Sequence, residues 1–111
     1  TVNDLANATT ETNYKNALAT LITAALVTGD CVLVSGVPSN TGTATVARQA
    51  EVTQWMFDIA AQYDVPAIDM TARWVSQSYR PDRGYYYDGL HPSNVGYWDM
   101  AEVIARVICE I

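Results

Sequence analysis

The stretch Cys31-Val32-Leu33-Val34-Ser35-Gly36-Val37 decides the architecture of this chain. It is a short continuous apolar run, rich in branched residues and closed by Pro38, and it reads as a buried strand. Before it, residues 10–28 read as a helix. Tyr14, Leu18, Leu21, Ile22 and Ala25 recur at the helical period, and Gly29 supplies the stop. After it, residues 38–45 have the composition of a loop, and a second helix follows over 46–63 with Ala50, Thr53, Phe57, Ala60 and Ala61 expected inside. Val65 to Met70 reads as a second strand, with Pro66 near its start suiting an edge or a strand entry, and Asp64 and Asp69 read as turn and strand-end residues. Thr71 is expected to cap a short helix running to Tyr79. An irregular loop fills 80–92, where Arg80 and Arg83 flank Asp82 as solvent-exposed partners. The last helix is expected to start at Ser93, which follows Pro92, and to run to the end. It would bury Met100, Val103, Ile104, Val107, Ile108 and Ile111 and turn Asp99, Glu102, Arg106 and Glu110 to water.

Alternation of this kind predicts an α/β domain with a parallel sheet. Two strands are few for four helices, because parallel sheets have several strands and both faces covered. Further strands are therefore expected before Thr1. The opening Thr1-Val2-Asn3-Asp4, without an initiator Met, fits the same expectation. Residues 1–111 are then expected to be the C-terminal portion of a single larger domain.

Composition narrows the function. Half of the 111 residues are hydrophobic and 16% are charged, enough apolar surface for a core and unlike a disordered segment. Six basic residues against twelve acidic ones give a net charge of −6, which repels a nucleic-acid duplex or an anionic membrane surface. The longest apolar stretch, Ala17 to Val27, is interrupted by Thr20 and Thr23 and falls short of the ~20 residues a membrane span needs. Cys31 and Cys109 are too few and too far apart for a metal-ligand set, and their spacing leaves a disulfide open.

The sharpest chemical signal is Asp88-Gly89-Leu90-His91-Pro92. His91, the single histidine, stands in a loop at the start of a helix, where a scaffold displays reactive groups. A carboxylate three residues earlier can fold back to accept the Nδ1 proton and leave Nε2 free as a general base. The plainer alternative is a surface histidine at a helix N-terminus. Asn3-Asp4 is a weaker signal: an amide at a strand tip can aim its NH2 at a developing oxyanion, although the same dipeptide also serves as a turn or cap. Tyr86 and Tyr87, in the run Tyr85-Tyr86-Tyr87, are candidate substrate-lining rings, with Trp74 and Trp98 as neighbours; alternatively they pack the loop onto the sheet edge.

Together these motifs resemble the GDSL/SGNH hydrolase family of lipases and esterases. Asn3-Asp4 matches the end of its G-x-N-D block, with Thr1 where the block has Gly, and Asp88 and His91 match its D-x-x-H block. The intervening helix, the VLVSGVP strand and turn, the apolar second helix and AIDM also look like the family. The resemblance implies a flavodoxin-like three-layer α/β/α fold with a parallel sheet. It implies a serine esterase or acylhydrolase in which Asp88 and His91 are the acid and base, Asn3 serves the oxyanion hole, and no metal or organic cofactor takes part. The family's G-D-S nucleophile block is not in these residues, and the expectation is that an upstream segment of the same domain carries it. Gly29-Asp30-Cys31 mimics that block but precedes a strand instead of following one. Ser35, Ser39, Ser76, Ser78 and Ser93 lack a nucleophile's setting, and Thr1 as a processed N-terminal nucleophile has nothing else to support it. The substrate expected is a small-molecule or glycan ester. The rival is a degenerate, non-catalytic hydrolase fold that binds glycan. Low charge and abundant Thr, Ser and Asn would suit a secreted or phage-borne protein.

Overall fold

The computed structural model describes residues 9–38, 45–74, 84–88 and 90–111. Among them, the chain is mostly helical around a small parallel sheet: α1 (Glu11–Thr28), β1 (Leu33–Val34), α2 (Val46–Tyr63), β2 (Ala67–Ile68), α3 (Met70–Trp74) and α4 (Asn94–Glu110). The three long helices begin where a hydroxyl satisfies an otherwise orphaned backbone N–H. Thr10 accepts from Asn13 N at 3.3 Å, Thr45 from Arg48 N at 3.1 Å and Ser93 from Gly96 N at 3.2 Å. Helix α1 stops as Gly29 N donates to Ala25 O, and α2 ends at Asp64, which adopts the left-handed conformation (φ 52°).

The strands pair in parallel, Leu33 opposite Ala67 and Val34 opposite Ile68. Leu33 N donates to Pro66 O and Ser35 N to Ile68 O, each at 2.9 Å. Both are shorter than the apolar runs 31–37 and 65–70 suggested. Pro66, which has no N–H to give, stands just before β2 and contributes its carbonyl. Alternation along the strands serves two apolar clusters. Leu33 and Ala67 join Ile22, Met56, Ile59 and Ala60 beneath α1 and α2. Val32, Val34 and Ile68 join Met70 and Trp74 with the half-buried Met100, Val103, Ile104 and Val107 of α4.

Several expectations are corrected. In α2 the buried residues are Gln49, Val52, Thr53, Trp55, Met56, Ile59 and Ala60; Thr53 and Ala60 are inside and Phe57 is half-buried, but Ala50 and Ala61 are exposed. Burying a Val, Met or Ile is worth ~1.5–3 kcal/mol, far more than an Ala methyl, so the larger side chains set the inward face. Leu21 of α1 is exposed while its neighbour Ile22 is fully buried. Ile108 (56% exposed) and Ile111 (55%) lie beyond the reach of the sheet and face outward. Thr71 is not a cap. It lies inside α3 and donates to Gly36 O, while Asp69 accepts from Ala72 N at 2.8 Å and Ser35 Oγ accepts from Met70 N at 2.8 Å and Thr71 N at 3.2 Å. The expected continuation of α3 over 75–79, and the Arg80, Asp82 and Arg83 group, lie outside the described residues. Cys31 and Cys109 are both free thiols, Cys31 half-buried and Cys109 exposed. No described helix is long and apolar enough to cross a membrane.

Candidate active site

The segment from Gly84 to Ser93 doubles back on itself before α4. Tyr86 and Pro92 form an isolated antiparallel bridge, Tyr87 N donates to His91 O at 2.8 Å, and Ser93 N donates to Tyr85 O at 2.8 Å. The Ser93 hydroxyl donates to Gly84 O and so adds a second tie across the base of the loop. The turn places Asp88 under its own return strand. Its Oδ1 accepts from Leu90 N at 3.0 Å and from His91 N at 2.7 Å, a side-chain-closed turn of the kind Asp favours.

That leaves Oδ2 facing the imidazole, 2.7 Å from His91 Nδ1. A carboxylate can only accept here, so Nδ1 carries the proton, and in the neutral ring the Nε2 lone pair is left open. The backbone N–H of His91, then its imidazole and the N–H of Leu90, hold the Asp88 carboxyl down to about 2. Asp88 is therefore a carboxylate at neutral pH, suited to orienting an imidazole and to stabilising an imidazolium if one forms. The His91 side chain is 66% exposed, so a reactant can reach Nε2.

The tyrosines diverge. Tyr87 is 83% exposed beside the pair. Tyr86 is half-buried, meets the Trp74 ring edge-on at 5.2 Å and donates its hydroxyl to Pro38 O. Burial pushes its phenol up to about 12. It ties the loop to the segment leaving β1. Trp74 is fully buried against Tyr85 and Tyr86, whereas Trp98 is exposed. Asn3 lies outside the described residues, as do Ser39, Ser76 and Ser78. Both described serines are engaged structurally, Ser35 at the start of α3 and Ser93 as the cap of α4. Among the described residues no three His, Cys, Asp or Glu side chains converge as metal ligands would.

One cluster that supports this loop was not expected. Asp99 does not face water: its side chain is 12% exposed and accepts from Arg73 Nε and Nη2, Trp74 Nε1 and Tyr85 OH. The Arg73 guanidinium, with Trp74 and Tyr85 adding to it, holds the Asp99 carboxyl down to about 2 against the opposing effect of burial. The available signal was periodicity, since Asp99 lies between Gly96 and Val103 on the inward side of α4.

A search of curated proteins and one of solved structures return no match. A family model described as "GDSL-like Lipase/Acylhydrolase family" matches residues 1–98, which takes in the Asn3-Asp4 block, the β1–α2–β2 unit and the Asp88–His91 loop. With the match spanning nearly the whole sequence, the chain belongs to the GDSL-like lipase/acylhydrolase family.

Proposed function

We propose that this chain is the acid–base portion of a serine ester hydrolase. The observation that carries the reading is the 2.7 Å contact between Asp88 Oδ2 and His91 Nδ1, with Nε2 open. In the reaction, a serine hydroxyl attacks the ester carbonyl as His91 Nε2 takes its proton. The imidazolium, stabilised by Asp88, returns that proton to the departing alcohol and leaves an acyl-serine. Water then repeats the cycle, giving up a proton to His91, releasing the acid and restoring the serine. The Asn3 amide helps to hold the negative oxygen of each tetrahedral intermediate.

The nucleophile is assigned to a segment outside these 111 residues. The chain has no G-D-S block, and the two described serines are committed to helix starts. In this reading residues 1–111 are the C-terminal portion of one domain whose sheet continues as a flavodoxin-like three-layer α/β/α fold. Apolar clusters on both faces of the β1–β2 pair support that extension. The glycan-binding rival is favoured by one observation, the exposed rings of Tyr87, Tyr97 and Trp98.

The test is hydrolysis of p-nitrophenyl acetate by the complete protein that contains this chain. His91→Ala is expected to cost at least the ~10²-fold that a positioned general base supplies. Wild-type activity in His91→Ala would overturn the assignment. A complete protein that cleaves no ester yet is retarded by polysaccharide in affinity electrophoresis would establish the rival.

A further inference from the structure

We propose that Asp99 is a positioning residue for the Asp88–His91 pair. It clamps the root of the 84–93 loop onto α3 and α4, and through that root it sets the orientation of the His91 ring. The inference rests on the hydrolase reading above.

Asp99 gathers donors from three residues in two parts of the chain, α3 and the loop: Arg73 Nε at 2.9 Å and Nη2 at 2.8 Å, Trp74 Nε1 at 2.8 Å and Tyr85 OH at 3.2 Å. A carboxylate offers about four acceptor directions, and these bonds use them. Trp74 in turn packs against Tyr85 at 5.0 Å and Tyr86 at 5.2 Å between ring centroids. From Tyr85 to Tyr87 the backbone then grips the returning strand at every step. Tyr85 O accepts from Ser93 N, Tyr86 bridges to Pro92, and Tyr87 N donates to His91 O. The chain of contacts runs from Asp99 to the backbone of His91 without Asp99 touching either member of the pair.

Within the loop, the turn's own bonds from Leu90 N and His91 N hold the Asp88 carboxylate. The Asp88 side chain is 43% exposed and that of His91 is more so, so among the described residues close packing contributes little to fixing either group. Their geometry is inherited from the loop, and the loop's geometry from its root. The Arg73–Asp99 pair, Nε on one oxygen and Nη2 on the other, fixes the carboxylate between α3 and α4 but does not itself reach the loop. The directional contacts to the Trp74 indole and the Tyr85 phenol are what aim the loop.

His91 is the single histidine of these 111 residues, and its ring signals are assigned by their loss in His91→Ala. The experiment is a long-range 1H–15N correlation spectrum of the 15N-labelled complete protein that contains this chain, in mildly alkaline buffer, where imidazole is neutral. Wild type is expected to show Nδ1 protonated and Nε2 bare, the minor tautomer of free histidine. Asp88→Asn should abolish that signature. Asp99→Asn should shift His91 toward the free-histidine pattern while circular dichroism still reports a folded chain. Tyr85→Phe, which removes only the hydroxyl and keeps the ring, should shift it part of the way. A folded Asp99→Asn chain with the wild-type tautomer would show that Asp99 merely stabilises, and the proposal would fail. If Asp99→Asn does not fold, Tyr85→Phe decides in the same way. A wild-type spectrum without the Nδ1–H tautomer would instead overturn the Asp88–His91 pairing itself.

Discussion

Replacing Gly96 by Ala sets two physical effects against each other. Gly96 lies in the first turn of α4, and in an ordinary exposed helix position Ala is favoured over Gly by ~0.5–1 kcal/mol. Here a Cβ would overlap the backbone carbonyl oxygen of Tyr85 and lie 2.9 Å from Cη2 of the fully buried Trp74. Neither neighbour is the free end of a flexible side chain. Relief requires α4 to move off the loop, which stretches the Ser93 N to Tyr85 O hydrogen bond and the Trp74–Tyr85 packing. Overpacking of this kind costs ~1–3 kcal/mol, and a weakened hydrogen bond adds ~0.5–1.5 kcal/mol. The steric cost exceeds the propensity gain, so Gly96→Ala is expected to destabilise by about 1–3 kcal/mol. Gly29→Ala is the matched control. Its φ of 169° is extended backbone open to any residue and nothing lies within 4 Å of a built Cβ, so it should be neutral or stabilise by up to ~1 kcal/mol. Urea unfolding followed by tryptophan fluorescence measures both. A Gly96→Ala chain as stable as Gly29→Ala would refute the reasoning, because it would mean that α4 does not pack against Tyr85 as described.

Two further outcomes are expected. Ser35→Ala removes the acceptor of Met70 N and Thr71 N at a buried position and should cost ~1–3 kcal/mol in the same urea assay, with Ser35→Thr milder if its hydroxyl keeps the bond; an unchanged midpoint in Ser35→Ala would contradict its role at the start of α3. The acid limb of stability should be carried in part by Asp99. Its carboxyl, held at about 2 in the fold against an ordinary 3.8, is depressed by folding, so its contribution of about 2 kcal/mol is present above about pH 4 and lost as the pH falls toward 2. Asp88, depressed in the same direction, adds to the same window. Urea midpoints taken across that range should fall in wild type and fall less in Asp99→Asn; parallel curves would rule out Asp99 as a source of the acid sensitivity.

The features legible in the sequence share a short range. The caps Thr10, Thr45 and Ser93 each bond an N–H three residues on, so the residues that announce them also make them. The Asp88–His91 contact has the same reach, and for that reason the candidate site was readable from D-x-x-H alone. The β1–α2–β2 order was legible because hydrophobic period and length separate strands from helices. The start of α3 was not. Thr71 has a cap's chemistry, but the actual acceptors are Asp69 and Ser35, and Ser35 arrives from a strand 35 residues earlier in the chain. The inward face of α2 is not legible in the sequence where alanines lie on both sides of the helix and only packing chooses between them.

By itself, then, the sequence determined the local elements, the α/β alternation, the Asp–His pair and the resemblance that the family match bears out. It did so because each of these is encoded in residues a few positions apart. Only the tertiary structure decided that Asp99 is a half-buried acceptor, that Tyr86 anchors the loop while Tyr87 is exposed, and that Gly96 is there for the close approach of Tyr85. Asp99 meets Arg73 and Trp74 across 26 and 25 residues of chain. Contacts of that span depend on how helices and sheet come together in space, which no local pattern of residues specifies.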